Sequence, residues 1–196
     1  MFHKSYQKID ESFESLGLTP AAARALQGAE WIVTEKLHGA NFCIICDGEH
    51  IECAKRKALI SPEEHFFGYR GVVAPMRGEV FALWRVLASE FETLQQVLAY
   101  GELVGGAYPH PDVAPVADVK PVQTGVYYSP QILFVGFDLA IVTSDSPTPT
   151  YLDFDSAVAF AEQAGILWSE PLARGTLGDA LEFDLAFDSR LPARLG

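Results

Sequence analysis

The chain has 196 residues, 49% of them hydrophobic, and a formal net charge of −12. That length and composition fit one folded domain with a substantial core and exclude a disordered polypeptide. The acidity argues against a broad basic surface for nucleic acid: Lys55-Arg56-Lys57 is a local cationic cluster, so such a contact is small, lies elsewhere or is missing.

Met1 to Asp10 is polar and mixed in charge, with no apolar segment of a secretory leader. The longest apolar run, Ile132 to Val142, is short for a membrane span and carries Asp138. A cytoplasmic protein is the default expectation. Trp31 to Glu35 reads as a strand. Asn41 to Cys46 and His50 to Ala54 read as a hairpin joined through Asp47-Gly48. Cys43, Cys46 and Cys53 are odd in number, which argues against a disulfide framework. Cys43 and Cys46 sit three apart on one predicted strand, so their side chains point to opposite faces and cannot share a metal.

From Val80 to Leu98 the apolar residues recur at helical spacing, which predicts one long amphipathic helix. Leu98 to Leu103 leads into Gly105-Gly106, and Ile132 to Val142 reads as a long buried strand. Between them Tyr108 to Pro130 is a Pro-rich loop too long for a casual connection. Thr143 to Thr150 reads as a second polar loop. A helix is expected from Ser156 to Ala164, capped by Asp155 and stopped by Gly165, and a short one near Thr176 to Phe183. No repeat or linker divides the chain. Early strands interrupted by a long helix give an α+β class with antiparallel sheets flanked by helices.

Chemistry concentrates in Glu35-Lys36-Leu37-His38-Gly39-Ala40-Asn41-Phe42. Lys36 leaves an apolar run and enters a small-residue turn, where Gly39 allows a phosphate to approach the backbone. A lysine amine is a nucleophile only where its ammonium form is destabilised, by burial or by nearby cations. An isolated Lys-x-His-Gly would as readily be a solvated turn.

Four further segments fit the same chemistry, in order. Arg56, after the hairpin, can fork onto ribose or phosphate oxygens, or be an ordinary surface arginine. Glu102, within Tyr100-Gly101-Glu102-Leu103, is an acid in an apolar strand: it meets a ribose hydroxyl or a cation, or is half-exposed. Phe137, in Phe134-Val135-Gly136-Phe137-Asp138-Leu139, either stacks on a purine or belongs to the core. The fourth, Val122 to Pro130, occupies the long loop.

Taken together these segments resemble the RNA ligases typified by phage T4 RNA ligase 2 and the trypanosome editing ligases. Glu35 to Phe42 matches the family's Glu-Lys-x-His-Gly-x-Asn-Phe at every fixed position, and the likeness runs over nearly the whole chain. The resemblance implies one nucleotidyltransferase (adenylation) domain over 1–196, of the ligase and capping-enzyme type. It implies ATP with Mg2+ or Mn2+ as cofactors, and RNA ends or nicked RNA as partner. Lys36 would take AMP as a lysyl adduct and pass it to an RNA 5′-phosphate. Glu35 would contact the adenine amino edge, and His38, Gly39 and Asn41 the phosphate region. Arg56 and Glu102 would hold the ribose side, and Phe137 would stack on adenine; the metal ligands stay unknown.

The family's later Glu-Gly-x-Val and Lys-x-Lys motifs have no match, and no lysine follows Lys120. The chain is therefore expected to be incomplete at its C-terminal end. A split ligase completed by a second chain and a non-catalytic nucleotide-binding remnant are the alternatives, with Arg174, Arg190 and Arg194 as possible stand-ins for the lysines. A pure protein-interaction domain is a third class.

Overall fold

A computed structural model describes residues 1, 3–7, 17 and 19–195. They fall into two compact units: Met1–Ser5, Leu37–Trp168 and Leu191–Gly196 form the first, Tyr6–Lys36 and Ser169–Arg190 the second. The chain passes between them at Ser5–Tyr6, Lys36–Leu37, Trp168–Ser169 and Arg190–Leu191. Such interleaving leaves no Gly- or Ser-rich linker to read in the sequence.

In the second unit α1 (Pro20–Gln27) begins at Thr19, whose hydroxyl accepts from the Ala22 amide. β1 (Trp31–Thr34) pairs antiparallel with β8 (Pro171–Gly175), Trp31 opposite Gly175 and Val33 opposite Ala173. The Trp31 indole donates to the Leu26 carbonyl at 2.7 Å, tying strand to helix. α5 (Leu177–Leu181) starts with a reciprocal capping box between Thr176 and Asp179.

In the first unit β2 (Ala40–Cys46), β3 (Ile51–Lys55), β4 (Ala58–Leu59), β5 (Leu94–Ala107), β6 (Ser129–Thr143) and β7 (Ser146–Tyr151) form one antiparallel sheet, ordered β4-β3-β2-β5-β6-β7. The β2–β3 hairpin turns where expected. Asp47 Oδ1 accepts from the Glu49 and His50 amides, and Gly48 takes φ +93°.

Strand alternation divides the sheet into two faces. Phe42, Ile44, Cys46, Val97, Ala99, Leu103, Phe134, Leu139 and Ile141 belong to the main core. With them pack α2 (Tyr69–Val73), α3 (Arg77–Glu90) and α4 (Phe154–Ala164), through Val73, Leu83, Leu87, Ala157 and Ala161 among others. The opposite face carries Asn41, Cys43, Tyr100, Glu102, Val104, Val135 and Asp138 by register. A smaller cluster of Val104, Tyr128, Val135 and Leu191, the last from α6 (Leu191–Leu195), sits there. Cys43 and Cys46 thus lie on opposite faces, as alternation requires.

Three expectations are corrected. The long helix ends at Glu90: Phe91 turns to φ −120°, ψ 90°, and Leu94, Val97 and Leu98 belong to β5. β5 is buried on both faces, so its apolar run has no polar alternation to reveal a strand and simply prolongs the helical spacing. The loop over Thr143 to Thr150 contains β7, whose Pro147 and Pro149 are tolerated because β7 is an edge strand. The cap of α4 is Asp153, not Asp155: Asp153 has φ −66°, ψ 157° and its carboxylate accepts from the Ser156 amide. Gly165 does end that helix, at φ +78°.

Candidate functional site

The turn after Lys36 is built by a close approach. A Cβ at Gly39 would fall against the Leu103 carbonyl oxygen, 2.9 Å from Val104 Cγ1 and 3.1 Å from the Glu102 Cβ. Only glycine lets the turn lie flush on β5. The loop Val122–Pro130 then fastens it. The His38 amide donates to the Tyr128 hydroxyl at 2.9 Å, and Gln123 Nε2 donates to the Gly39 carbonyl at 3.3 Å. His38 Nε2 lies 3.2 Å from the Thr124 carbonyl. The loop itself is anchored where the Val122 amide donates to the Gly105 carbonyl at 2.9 Å. Gly105 and Gly106 adopt φ +90° and +89°, which L side chains avoid.

Register then aligns two acid–amide positions. Asn41 stands directly opposite Glu102, so the two half-buried side chains share one face of the sheet. On the same face Tyr100 pairs with Asp138. Phe137 is the extra residue of a β-bulge: Tyr100 faces Asp138 and Gly101 faces Gly136, leaving Phe137 between them. Because of that bulge Phe134 and Asp138, four apart, lie on opposite faces. Arg56 is exposed on the two-residue turn joining β3 to β4, while its neighbour Lys55 is committed to Glu64 at 2.6 Å.

Glu35 and Lys36 follow β1 in the second unit, and Lys36 is bonded directly to Leu37 of the first. Lys36 is exposed; the Glu35 carboxylate accepts from the Ser189 hydroxyl at 2.8 Å. Ser189, Gln123, Thr124 and Tyr128 carry no individual role in the sequence reading. Partners separated by 84 to 154 positions leave no local signal.

Burial pushes up the Cys43 thiol and the Tyr100 phenol and raises Cys53 to about 12, which disfavours their anionic forms. Arg174 pairs with Glu30 at 3.5 Å and Arg194 donates to the Trp168 carbonyl at 2.8 Å, so both have local partners. A groove of about 900 Å3 near Phe66, Val72, Lys120 and Ile132 includes none of the sequence-predicted site residues. Among the described residues no three His, Cys, Asp or Glu gather as a metal cage, and no helix is long and apolar enough to cross a membrane.

The RNA ligase family model matches residues 29–189. The chain belongs to the RNA ligase family. It is 32% identical over 213 residues to the mitochondrial RNA-editing ligase 2 of Trypanosoma brucei brucei, covering 97% of this chain and 50% of that protein. RNA-editing ligase 1 of the same organism is 32% identical over 196 residues, with 87% and 42% covered. The chain thus spans half or less of the length of these ligases. An archaeal ATP-dependent RNA ligase shares the fold at TM-score 0.53 and 19% identity, over 90% of this chain and 39% of that one. A Naegleria gruberi RNA ligase variant solved with AMP and Mn aligns at TM-score 0.51 and 14% identity, over 79% and 39%. The fold is the α+β nucleotidyltransferase fold, antiparallel sheets flanked by helices.

Proposed function

We propose that this chain carries the adenylyltransferase chemistry of an ATP-dependent RNA ligase, with Lys36 as the covalent AMP site. Nζ of Lys36 attacks the α-phosphorus of ATP. A P–N bond forms, the bond to pyrophosphate breaks, and the amine gives up a proton. An RNA 5′-phosphate oxygen then takes the AMP, which breaks the P–N bond and restores the lysine. Finally a 3′-hydroxyl attacks that 5′-phosphorus and expels AMP. Glu35 reads the adenine edge, His38, Gly39 and Asn41 line the phosphates, Arg56 and Glu102 hold the ribose side, and Phe137 stacks on the base. Such reactions depend mainly on positioning and charge stabilisation. A divalent cation, magnesium or manganese, adds charge neutralisation on the phosphates when bound. A cation of this kind is carried mostly by phosphate oxygens and one or two carboxylates, and Glu102 is the acid beside Asn41.

The observation that carries this reading is the motif turn itself. Glu35 to Phe42 matches at every fixed position, and the second family loop, Val122–Pro130, holds the turn through His38 and Gly39. A second reading has its own observation: no lysine follows Lys120 and no Glu-Gly-x-Val occurs in these 196 residues. It describes a nucleotide binder that acts through, or is completed by, another polypeptide.

Intact mass after incubation with ATP and magnesium separates the two. The first reading expects an AMP adduct on the parent chain and none on Lys36→Ala. Its formation is slow, ~10⁴-fold below the full complement of donors, at ~10²–10³ for each preorganised cation missing. Reversible ATP binding that is equal in the parent and Lys36→Ala, with no adduct, supports the second. No nucleotide binding at all leaves a protein-interaction domain.

A further inference from the structure

Next to the lysine turn, on the first unit, lies a cavity of about 660 Å3 lined by Tyr108, His110, Tyr128, Ser129, Gln131 and Leu133 among others. It shares a wall with the turn, because the same Tyr128 accepts the His38 amide. Leu133 is two residues, about 7 Å, along β6 from Val135, the register partner of Glu102. The cavity thus opens on the same face of the sheet, one step beyond the Asn41–Glu102 pair.

Its chemistry differs from that of a phosphate site. Among the described residues no lysine or arginine lines it, and the Asp112 carboxylate in its lining lies 3.9 Å from His110 Nδ1. The Tyr108 and His110 rings, both in its lining, lie 6.4 Å apart at 39°. His110 is tethered by its neighbour: the Asp112 amide donates to His110 Nδ1 at 3.3 Å. Ser129 is buried, and its oxygen already accepts from the Gln131 amide at 3.1 Å, which leaves its hydroxyl proton to donate. Two stacking rings, a buried hydroxyl and a side-chain amide without cations suit an uncharged base and ribose rather than a triphosphate.

We propose that this cavity is a subsite for one nucleoside of the RNA strand, stacked on Tyr108 and His110, outside the ATP site. The assignment rests on the ligase reading above, and the experiment separates the two. Affinity of the 196-residue chain for a short, fluorescently labelled single-stranded RNA is measured by anisotropy across a salt series. Adduct formation from ATP without RNA is followed in parallel.

Tyr108→Ala and His110→Ala are each expected to weaken RNA binding by roughly 5- to 150-fold, the range for loss of one stacking partner. The slope of log affinity against log salt stays unchanged, because no phosphate contact is removed. Adduct formation from ATP also stays unchanged. Tyr108→Trp, which enlarges the stacking face, restores binding. His110 is half exposed (53%), so its replacement tests the subsite without disturbing the core.

RNA affinity within twofold of the parent in both alanine variants overturns the subsite, as does a parent chain that binds no RNA. A parallel loss of adduct formation in both variants also overturns it, since the rings would then serve the ATP site or the fold. If the parent forms no adduct while the RNA losses appear as expected, the subsite stands and the ligase reading fails.

Discussion

A methyl group at position 39 would meet the Leu103 carbonyl and the Val104 side chain, and backbone on β5 cannot step aside. Gly39→Ala is therefore expected to cost about 1–3 kcal/mol, the usual range for overpacking, and to slow adduct formation by lifting the turn off the sheet. Urea unfolding and intact mass check the two effects. Unchanged stability with unchanged adduct rate would show that the turn can sit elsewhere. The same close approach explains why a motif glycine that sequence reading assigns to phosphate access also has a packing role. At Phe137 the lesson differs. Its direction depends on a one-residue bulge, and no property of Phe-Asp announces a bulge whose cause is the register with β5.

Among the elements, α4 shows how one cap sets a boundary. Hydrogen bonds from the Ser156 amide and hydroxyl hold the Asp153 carboxyl below the ordinary carboxylate range. A carboxyl depressed in the folded state adds stability that is complete above its unfolded value of about 4. That stability fades as pH falls through the lower folded value. Asp153→Ala should therefore lower the thermal midpoint at neutral pH, and the difference from the parent should close in strong acid. A gap that persists undiminished at the lowest pH would place the cap elsewhere. α3 is decided by packing: Leu87 is fully buried, and Leu87→Ala is expected to cost about 2–5 kcal/mol in urea unfolding. The end of that helix was hidden because Leu94, Val97 and Leu98 continue its spacing by coincidence of burial on two faces.

At the scale of the whole molecule the two units differ in what holds them. The first has a six-stranded sheet packed against helices; the sheet of the second has two strands, β1 and β8, a size that is marginal by itself. Amide exchange should therefore be faster at Ile32, Val33 and Ala173 than at Ile44, Leu98 and Leu139. Equal protection, measured by mass spectrometry or NMR, would show that the smaller unit opens only with the larger one. Lys36 is the last residue of a segment of the second unit, while His38, Gly39 and Asn41 belong to the first.

The sequence by itself determined the class of the fold, the β2–β3 hairpin, the long strand through Phe134, the long loop from Tyr108, which gives way to β6 at Ser129 rather than after Pro130, and the order of the motif segments. Those features are local: a turn dipeptide, an alternation, a spacing and a run of matched residues are written in consecutive positions. Tertiary structure decided the rest. It placed Asn41 opposite Glu102, seated Gly39 on β5, and fastened His38 to Tyr128 ninety positions away. It also ended α3 at Glu90 and inserted the bulge at Phe137. Each of these depends on which strand lies beside which and in what register, an outcome of the free energy of the whole core that no single segment encodes.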